Sequence, residues 1–276
     1  MKTKRKKISI LPVLVVLAAM LCVLILLLDK PKPEEIPEVP MVPVAIGPYT
    51  SPETPKERLE VFAGMHDLSL EEWPERILEL LEKNPDAESF VLNYPFLKET
   101  QQEADLSRQV ETGEVPKLYQ WDSRWGYSIY GDKELALTGC GPTCLSMVCL
   151  YYLQDAKYTP RYVADFAEEK GYYTIGVGTE WALMSQGAET LGLNVVTIPP
   201  NAQRIMANLE VGNLVILAMG PGDFTEYGHY ILLAGEQDGL AVIHDPNSKI
   251  NTEKLWDVSS FRSQIENVWV FQPIEE

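Results

Sequence analysis

Thr138-Gly139-Cys140-Gly141-Pro142-Thr143-Cys144 is the stretch on which the reading of this chain turns. One thiol stands between two glycines, immediately before an apolar segment with helical spacing. A cysteine at a helix N-terminus lies at the positive end of the backbone dipole, with unpaired N–H groups near its sulfur. Both favour the thiolate, the nucleophilic form. Pro142 suits a first helical turn, where its missing N–H costs nothing. The spacing of Leu145, Val148, Cys149 and Tyr152 predicts a buried helix over 141–153.

Downstream, Gly228-His229-Tyr230 and His244-Asp245-Pro246-Asn247 each border an apolar, strand-like run. The two runs read as a hairpin, with Asp238-Gly239 at its turn. In an antiparallel pair the positions of opposed residues have a constant sum. A sum of 474 sets His229 opposite Asp245 and needs a three- or five-residue connection centred on Gln237. A different turn makes them diagonal neighbours instead. Either way a base and a group to orient it come together, which with Cys140 makes a nucleophilic triad of a thiol hydrolase. In that register His244 points to the opposite face, so His229 is read as the base and His244 as its competitor. The alternatives are a buried inert thiol at Cys140 and ordinary turn chemistry at Asp245. Cys144 and Cys149 read as core. An oxyanion donor is also required; the Cys140 backbone N–H is available, and Gln120 is the side-chain candidate.

Charge and composition remove other classes. Residues 29–276 carry 18 Lys and Arg against 40 Asp and Glu, a net charge of about -22, which repels nucleic acid. Outside residues 1–28 the cysteines are Cys140, Cys144 and Cys149, too clustered for a disulfide framework and without a Cys-x-x-Cys pair. No metal and no cofactor are expected. His66 reads as a surface residue.

The N-terminus speaks to location. Residues 1–7 are a basic tail (Lys2, Lys4, Arg5, Lys6, Lys7), and residues 8–28 form an uncharged run of 21 residues, long enough to span a bilayer as a helix. Basic residues before the span predict a cytoplasmic N-terminus and an extracytoplasmic remainder. The run ends in Leu26-Leu27-Leu28-Asp29-Lys30 without small residues, which favours an uncleaved signal anchor over a removed signal peptide. Leu21 is too bulky for Cys22 to be a lipid-attachment site. The chain is therefore expected to be a single-pass protein of the cell membrane.

Residues 29–56 are a proline-rich stalk. Residues 57–114 are a helical linker region: Leu68–Pro74 reads as a helix start, Ile77, Leu78, Leu80 and Leu81 share a face, and Asn84-Pro85 is a stop. Phe90–Leu92 reads as a docking segment, followed by a polar helix or linker to Gly113. Residues 115–276 form the main domain, opening on the aromatic Tyr119–Gly126 loop. Helices are predicted over 160–170, 180–191 and 201–210, with Asn201 as a cap, and strands over 193–198, 214–219, 229–234, 240–244 and 268–271. Helices first and strands later argue for an α+β fold, a Cys-bearing helix packed on an antiparallel sheet.

Tyr119-Gln120-Trp121-Asp122, Gly139-Cys140-Gly141-Pro142-Thr143, Gly228-His229 and Asp245-Pro246-Asn247, taken as an ordered set over residues 115–273, resemble the papain-like cysteine peptidases of family 39. These are bacteriocin-processing peptidases and their secreted or membrane-anchored bacterial relatives. The resemblance implies a papain-like fold with Cys140 as nucleophile, His229 as base and Asp245 as orienter. It implies a bacterial cell-surface protein of a Gram-positive organism; its substrate does not carry over, and the thiol-hydrolase reading itself leads to a peptide or protein substrate being expected. The transporter-linked members carry Gln six residues before the Cys, where this chain has Glu134. They are also fused to a transport ATPase, and this chain has no phosphate-binding glycine-rich loop, so leader processing during export is not expected. Two other readings remain: a cell-wall peptide amidase or endopeptidase with the same chemistry, and a non-catalytic peptide-binding module that keeps the fold.

Overall fold

A computed structural model describes residues 54–100 and 103–274. The basic tail, the apolar run at 8–28 and nearly all of the stalk lie outside them; among the described residues no helix is long and apolar enough to cross a membrane. The fold is mixed α and β. Helices α1 (Pro55–Met65), α2 (Glu75–Lys83), α3 (Glu88–Leu97) and α4 (Ser107–Glu111) come first. A two-stranded ribbon, β1 (Ile129–Tyr130) with β2 (Lys133–Glu134), leads through α5 (Leu135–Thr138) into α6 (Cys140–Leu153). Then follow α7 (Pro160–Glu169), a second ribbon of β3 (Tyr173–Thr174) with β4 (Gly178–Thr179), and α8 (Gln186–Thr190). The rest builds the main sheet: β5 (Asn194–Ile198), α9 (Ala202–Glu210), β6 (Leu214–Met219), β7 (His229–Gln237), β8 (Leu240–His244), α10 (Lys249–Glu253), β9 (Leu255–Trp256) and β10 (Ile265–Gln272).

That sheet runs β5-β10-β6-β7-β8-β9, antiparallel throughout. Its central strand β6, Leu-Val-Ile-Leu-Ala-Met, is buried at every residue because both faces are covered. Leu214, Ile216, Leu232, Trp269 and Phe271 face α6 and α7 in one core. Val215, Leu217, Ile231, Leu233 and Ile243 face Ile205 and Leu209 of α9 in another. Helix α6 is buried from Gly141 to Leu150, which explains why it is apolar on all sides. Thr159 and Asn201 cap α7 and α9 by accepting from the N–H of Tyr162 and Arg204.

Three expectations change. The helix expected over 180–191 is a 3-10 turn, Trp181–Met184, and the short α8, separated by Ser185 at φ -111° and ψ -87°. The docking segment around Phe90 is the helix α3, with Pro95 in its last turn. The β7–β8 register is not the 474 sum. Asp238 and Gly239 both have positive φ, as a two-residue I′ turn requires, and the pairing starts at Gln237↔Leu240, a sum of 477. A bulge between Leu233 and Gly235 then resets it to Leu233↔Ile243 and Leu232↔His244, a sum of 476.

The helices before residue 98 pack on the main domain. Leu59, Trp73, Ile77, Phe90 and Tyr94 share a core with Trp121, Tyr127 and Ala136. The indole of Trp73 donates to the Val91 carbonyl at 2.6 Å, and the Tyr127 hydroxyl donates to that of Phe90 at 2.9 Å.

Candidate active site

Cys140 is the first residue of α6, reached through α5 and Gly139. Gly139 is required by space: a β-carbon there would lie 2.5 Å from the Leu135 carbonyl oxygen. On the other side of the thiol, a β-carbon at Gly141 would meet Thr179 Cγ2 at 2.8 Å, so the β3–β4 ribbon lies directly on the start of the helix. Thr179 is held there by two phenols. Tyr130 Oη and Thr179 Oγ1 are 2.9 Å apart, and Tyr230 donates to the Thr179 carbonyl at 2.9 Å.

His229 begins β7 and is buried. Its Nε2 lies 2.8 Å from Asp245 Oδ1, and its ring lines the same cleft as Cys140, close enough for the two to interact electrostatically. With Nε2 engaged by the carboxylate, Nδ1 is the nitrogen left for the thiol. Asp245 follows β8 and is itself held on every side. Its Oδ1 accepts from the Asn247 N–H at 2.9 Å, its Oδ2 from Asn251 Nδ2 at 2.8 Å, and its own N–H donates to Thr252 Oγ1 at 3.0 Å.

The electrostatics follow from this arrangement. Burial alone would lower the basicity of His229, but the adjoining Asp245 charge, the bond to Asp245 and the nearby Cys140 outweigh it and raise its pKa to about 10. Burial alone would raise the Cys140 pKa. The imidazole and the backbone N–H groups of Tyr230 and Gly141 outweigh it and hold the thiol below its ordinary value. Asp245 is likewise kept below the usual carboxylate range: His229, Asn251 and Asn247 override its desolvation. Both shifts run in the direction of a thiolate–imidazolium pair.

The other candidates fall elsewhere. His244 Nδ1 lies 2.9 Å from the Pro116 carbonyl oxygen, and burial lowers its pKa to about 4, so it is a neutral core residue. Cys144 is fully buried, and desolvation pushes its thiol well above the ordinary value; Cys149 moves the same way for the same reason. Gln120 is buried, and its Nε2 donates to the Ala136 carbonyl at 2.7 Å. Glu134 turns from the site to Arg76, which binds both carboxylate oxygens at 2.8 and 2.7 Å. His66 stacks against Phe62 and Phe96. Among the described residues no three His, Cys, Asp or Glu side chains group as metal ligands.

Cys140 and His229 open on a cleft of about 530 Å³, walled by Thr179, Glu180 and Trp181 on the ribbon side and by Tyr227 and Gly228 on the loop before β7. Sequence reasoning did not find the groups that hold Asp245 from behind. Asn251 and Thr252 carry no local signal beyond Ser248, which caps α10 by accepting from the Asn251 N–H. Nor did it find Tyr230, whose phenol fixes the cleft wall.

A cysteine-bearing helix packed on an antiparallel sheet, with a histidine at a strand start, is the arrangement of a cysteine peptidase-like domain. The Peptidase_C39 like family matches residues 112–272, more than half of the chain, and the chain belongs to that family. Among solved structures, the peptidase domain of Streptococcus ComA, a bi-functional ABC transporter involved in a quorum sensing pathway, is 20% identical. It aligns with a TM-score of 0.38 over 50% of this chain and 93% of that one. A protein described as a C39-like peptidase from Bacillus anthracis is 15% identical, with a TM-score of 0.36 over 59% of this chain and 97% of that one. No curated protein matches the chain.

Proposed function

We propose that the chain is a membrane-anchored, extracytoplasmic cysteine peptidase that cleaves peptide or amide bonds with Cys140 as nucleophile, His229 as base and Asp245 as orienter. The observation that carries this reading is the placement of His229, with Nε2 at 2.8 Å from Asp245 Oδ1 and its ring beside Cys140 in one open cleft. The anchor and the orientation rest on the basic tail and the uncharged run at 8–28.

In this mechanism the Cys140 thiolate adds to the scissile carbonyl. The oxyanion so formed meets the N–H at the start of α6. That N–H is preferred here to Gln120, the side-chain candidate, because Gln120 is buried and is not among the residues that wall the cleft. The His229 imidazolium gives its proton to the departing amine as the C–N bond breaks, leaving a thioester on Cys140. The now neutral His229 takes a proton from water, hydroxide adds to the thioester, and the acid leaves as the thiolate and imidazolium are restored. Asp245 fixes the imidazole orientation and stabilises its charge without itself taking a proton.

The test is labelling of the full chain with a peptidyl electrophile, comparing wild type with Cys140→Ala, Cys144→Ala and His229→Ala. Rapid labelling is expected in wild type and Cys144→Ala, with loss in Cys140→Ala and slowing in His229→Ala. Slow labelling of a folded wild type, indifferent to His229→Ala, would leave a peptide-binding module as the better account.

A further inference from the structure

The loop that presents Asp245 is held partly by residues outside the family-matched segment. Asn84 ends α2 and uses both halves of its amide. Its Oδ1 accepts from the Asp86 N–H at 3.1 Å and caps the turn that follows. Its Nδ2 donates to the Asn247 carbonyl at 2.6 Å and to Asn247 Oδ1 at 3.0 Å. Two residues on, Asp86 Oδ2 accepts the Lys249 N–H at 2.9 Å, at the first residue of α10. The main domain grips the same loop from the other side: the Gln120 N–H donates to the Pro246 carbonyl at 2.8 Å, and Trp121 Nε1 donates to that of Asn247 at 3.1 Å.

Asn247 therefore stands at a junction. Its carbonyl and side chain are fixed by Asn84 and Trp121, and its N–H donates to Asp245 Oδ1, the same oxygen that faces His229. Asn84 is buried, 8% exposed, so its two donor bonds form away from competing water. A bond made there constrains the carboxylate two residues away, whereas Ser248 is half-buried and Lys249 and Ile250, at the start of α10, are exposed.

We infer that Asn84 is a positioning residue, acting through Asn247 on Asp245, and that the helices before residue 98 belong to the catalytic unit as its brace. This rests on the triad proposed above. Loss of the clamp lets Asn247 rotate and weakens one of the bonds to Asp245 Oδ1. A mispositioned carboxylate stabilises the imidazolium less, and the thiolate in turn loses part of its partner. The thiolate–imidazolium window then narrows from both sides. The other titratable groups facing this pair are Cys144 from α6, Tyr130 from β1 and Tyr230 from β7, with Glu180 and Glu266 lining the cleft; Tyr119 from the entry loop faces Asp245, with Asp86 and Glu253 beside it.

Asn84→Asp removes the donor of the clamp but sets a carboxylate against two oxygens of Asn247, so Asn84→Ser is run beside it as the uncharged variant. The new carboxylate still accepts from the Asp86 N–H, so the turn stays capped, but the donor to Asn247 is gone. The experiment follows alkylation of Cys140 by iodoacetamide against pH, in full chain purified in detergent, for wild type, Asn84→Asp, Asn84→Ser and Cys140→Ala, with thermal unfolding in parallel. Wild type is expected to alkylate rapidly at neutral pH, and Cys140→Ala to lose that reaction. Asn84→Asp should unfold cooperatively near wild type, alkylate about tenfold more slowly at neutral pH, and need a higher pH to reach its maximal rate. A folded Asn84→Asp with wild-type rate and pH profile would overturn the brace and leave the triad standing. An unreactive wild-type Cys140 would overturn both. If Asn84→Asp does not fold, Asn84→Ser, whose hydroxyl can accept from the Asp86 N–H but is too short to reach Asn247, takes its place with the same two outcomes.

Discussion

The Thr179 side chain lies so close to Gly141 that a β-carbon there would stand 2.8 Å from its Cγ2, and the ribbon forming the cleft wall rests directly on the helix that carries Cys140. Gly141→Ala therefore forces a choice. Thr179 is tied by Tyr130 and Tyr230 and cannot withdraw without breaking one of those bonds. We expect a loss of about 1–3 kcal/mol in urea unfolding together with slower labelling of Cys140. A midpoint unchanged from wild type would show that the ribbon yields freely.

The ionisation of the pair predicts two pH profiles that part company. Turnover needs the thiolate and the imidazolium together. It falls at acid pH, as the depressed Cys140 thiol is protonated, and at alkaline pH, as His229 loses its proton near about 10. Alkylation needs only the thiolate and should not fall on the alkaline side. Measuring kcat/KM and iodoacetamide inactivation over the same pH range checks this; parallel alkaline limbs would exclude the assignment of that limb to His229.

Asp245→Asn keeps the shape of the side chain and removes its charge. The support that raises His229 is lost, so its pKa should drop toward the ordinary imidazole range, and kcat should decrease about a hundredfold with little change in KM. Steady-state kinetics on a fluorogenic peptide is the check. A loss confined to KM would point to substrate binding instead.

Arg76→Met tests the second ion pair of the helical region. Glu134 is buried, 2% exposed at its side chain, and depends on Arg76 and the Tyr94 hydroxyl. These contacts override its desolvation and hold its pKa below the ordinary 4.5. A lowered carboxylate stabilises the fold above the ordinary value and loses that contribution as pH falls through the folded value. Arg76 is nearly half exposed, so solvent screens the pair, and we expect a loss of about 2 kcal/mol at neutral pH that shrinks under acid conditions. Chemical denaturation at both pH values measures it.

Much of this architecture was visible in the chain. The apolar runs at 214–219 and 240–244 coincide with β6 and β8, and Asn201 caps the helix it announces, because these are local patterns of periodicity and cap chemistry. The short ribbons were not visible: two residues per strand give no alternation to read. Asn84 was legible only as a helix stop, since its partner Asn247 lies 163 residues away and no local pattern encodes that distance. His229 and Asp245 were expected to meet. The sequence did not reveal how, because the Asp-Gly turn sets one register and the chain uses another at the site.

That change of register has a consequence for the parity of the hairpin. Opposed residues of an antiparallel pair share a face, so an odd sum such as 477 would send positions 229 and 245 to opposite sides of the sheet, while an even sum such as 476 returns them to the same side. The single extra residue, Ala234, is what converts one into the other. Were Ala234 paired in the ladder instead of bulged out of it, the turn, the strands and every proposed catalytic side chain would remain in the sequence, yet the carboxylate would turn away from the imidazole. The meeting of His229 and Asp245 thus depends on an alanine that takes no part in the chemistry, and a comparison of such hairpins by their turns alone would miss it.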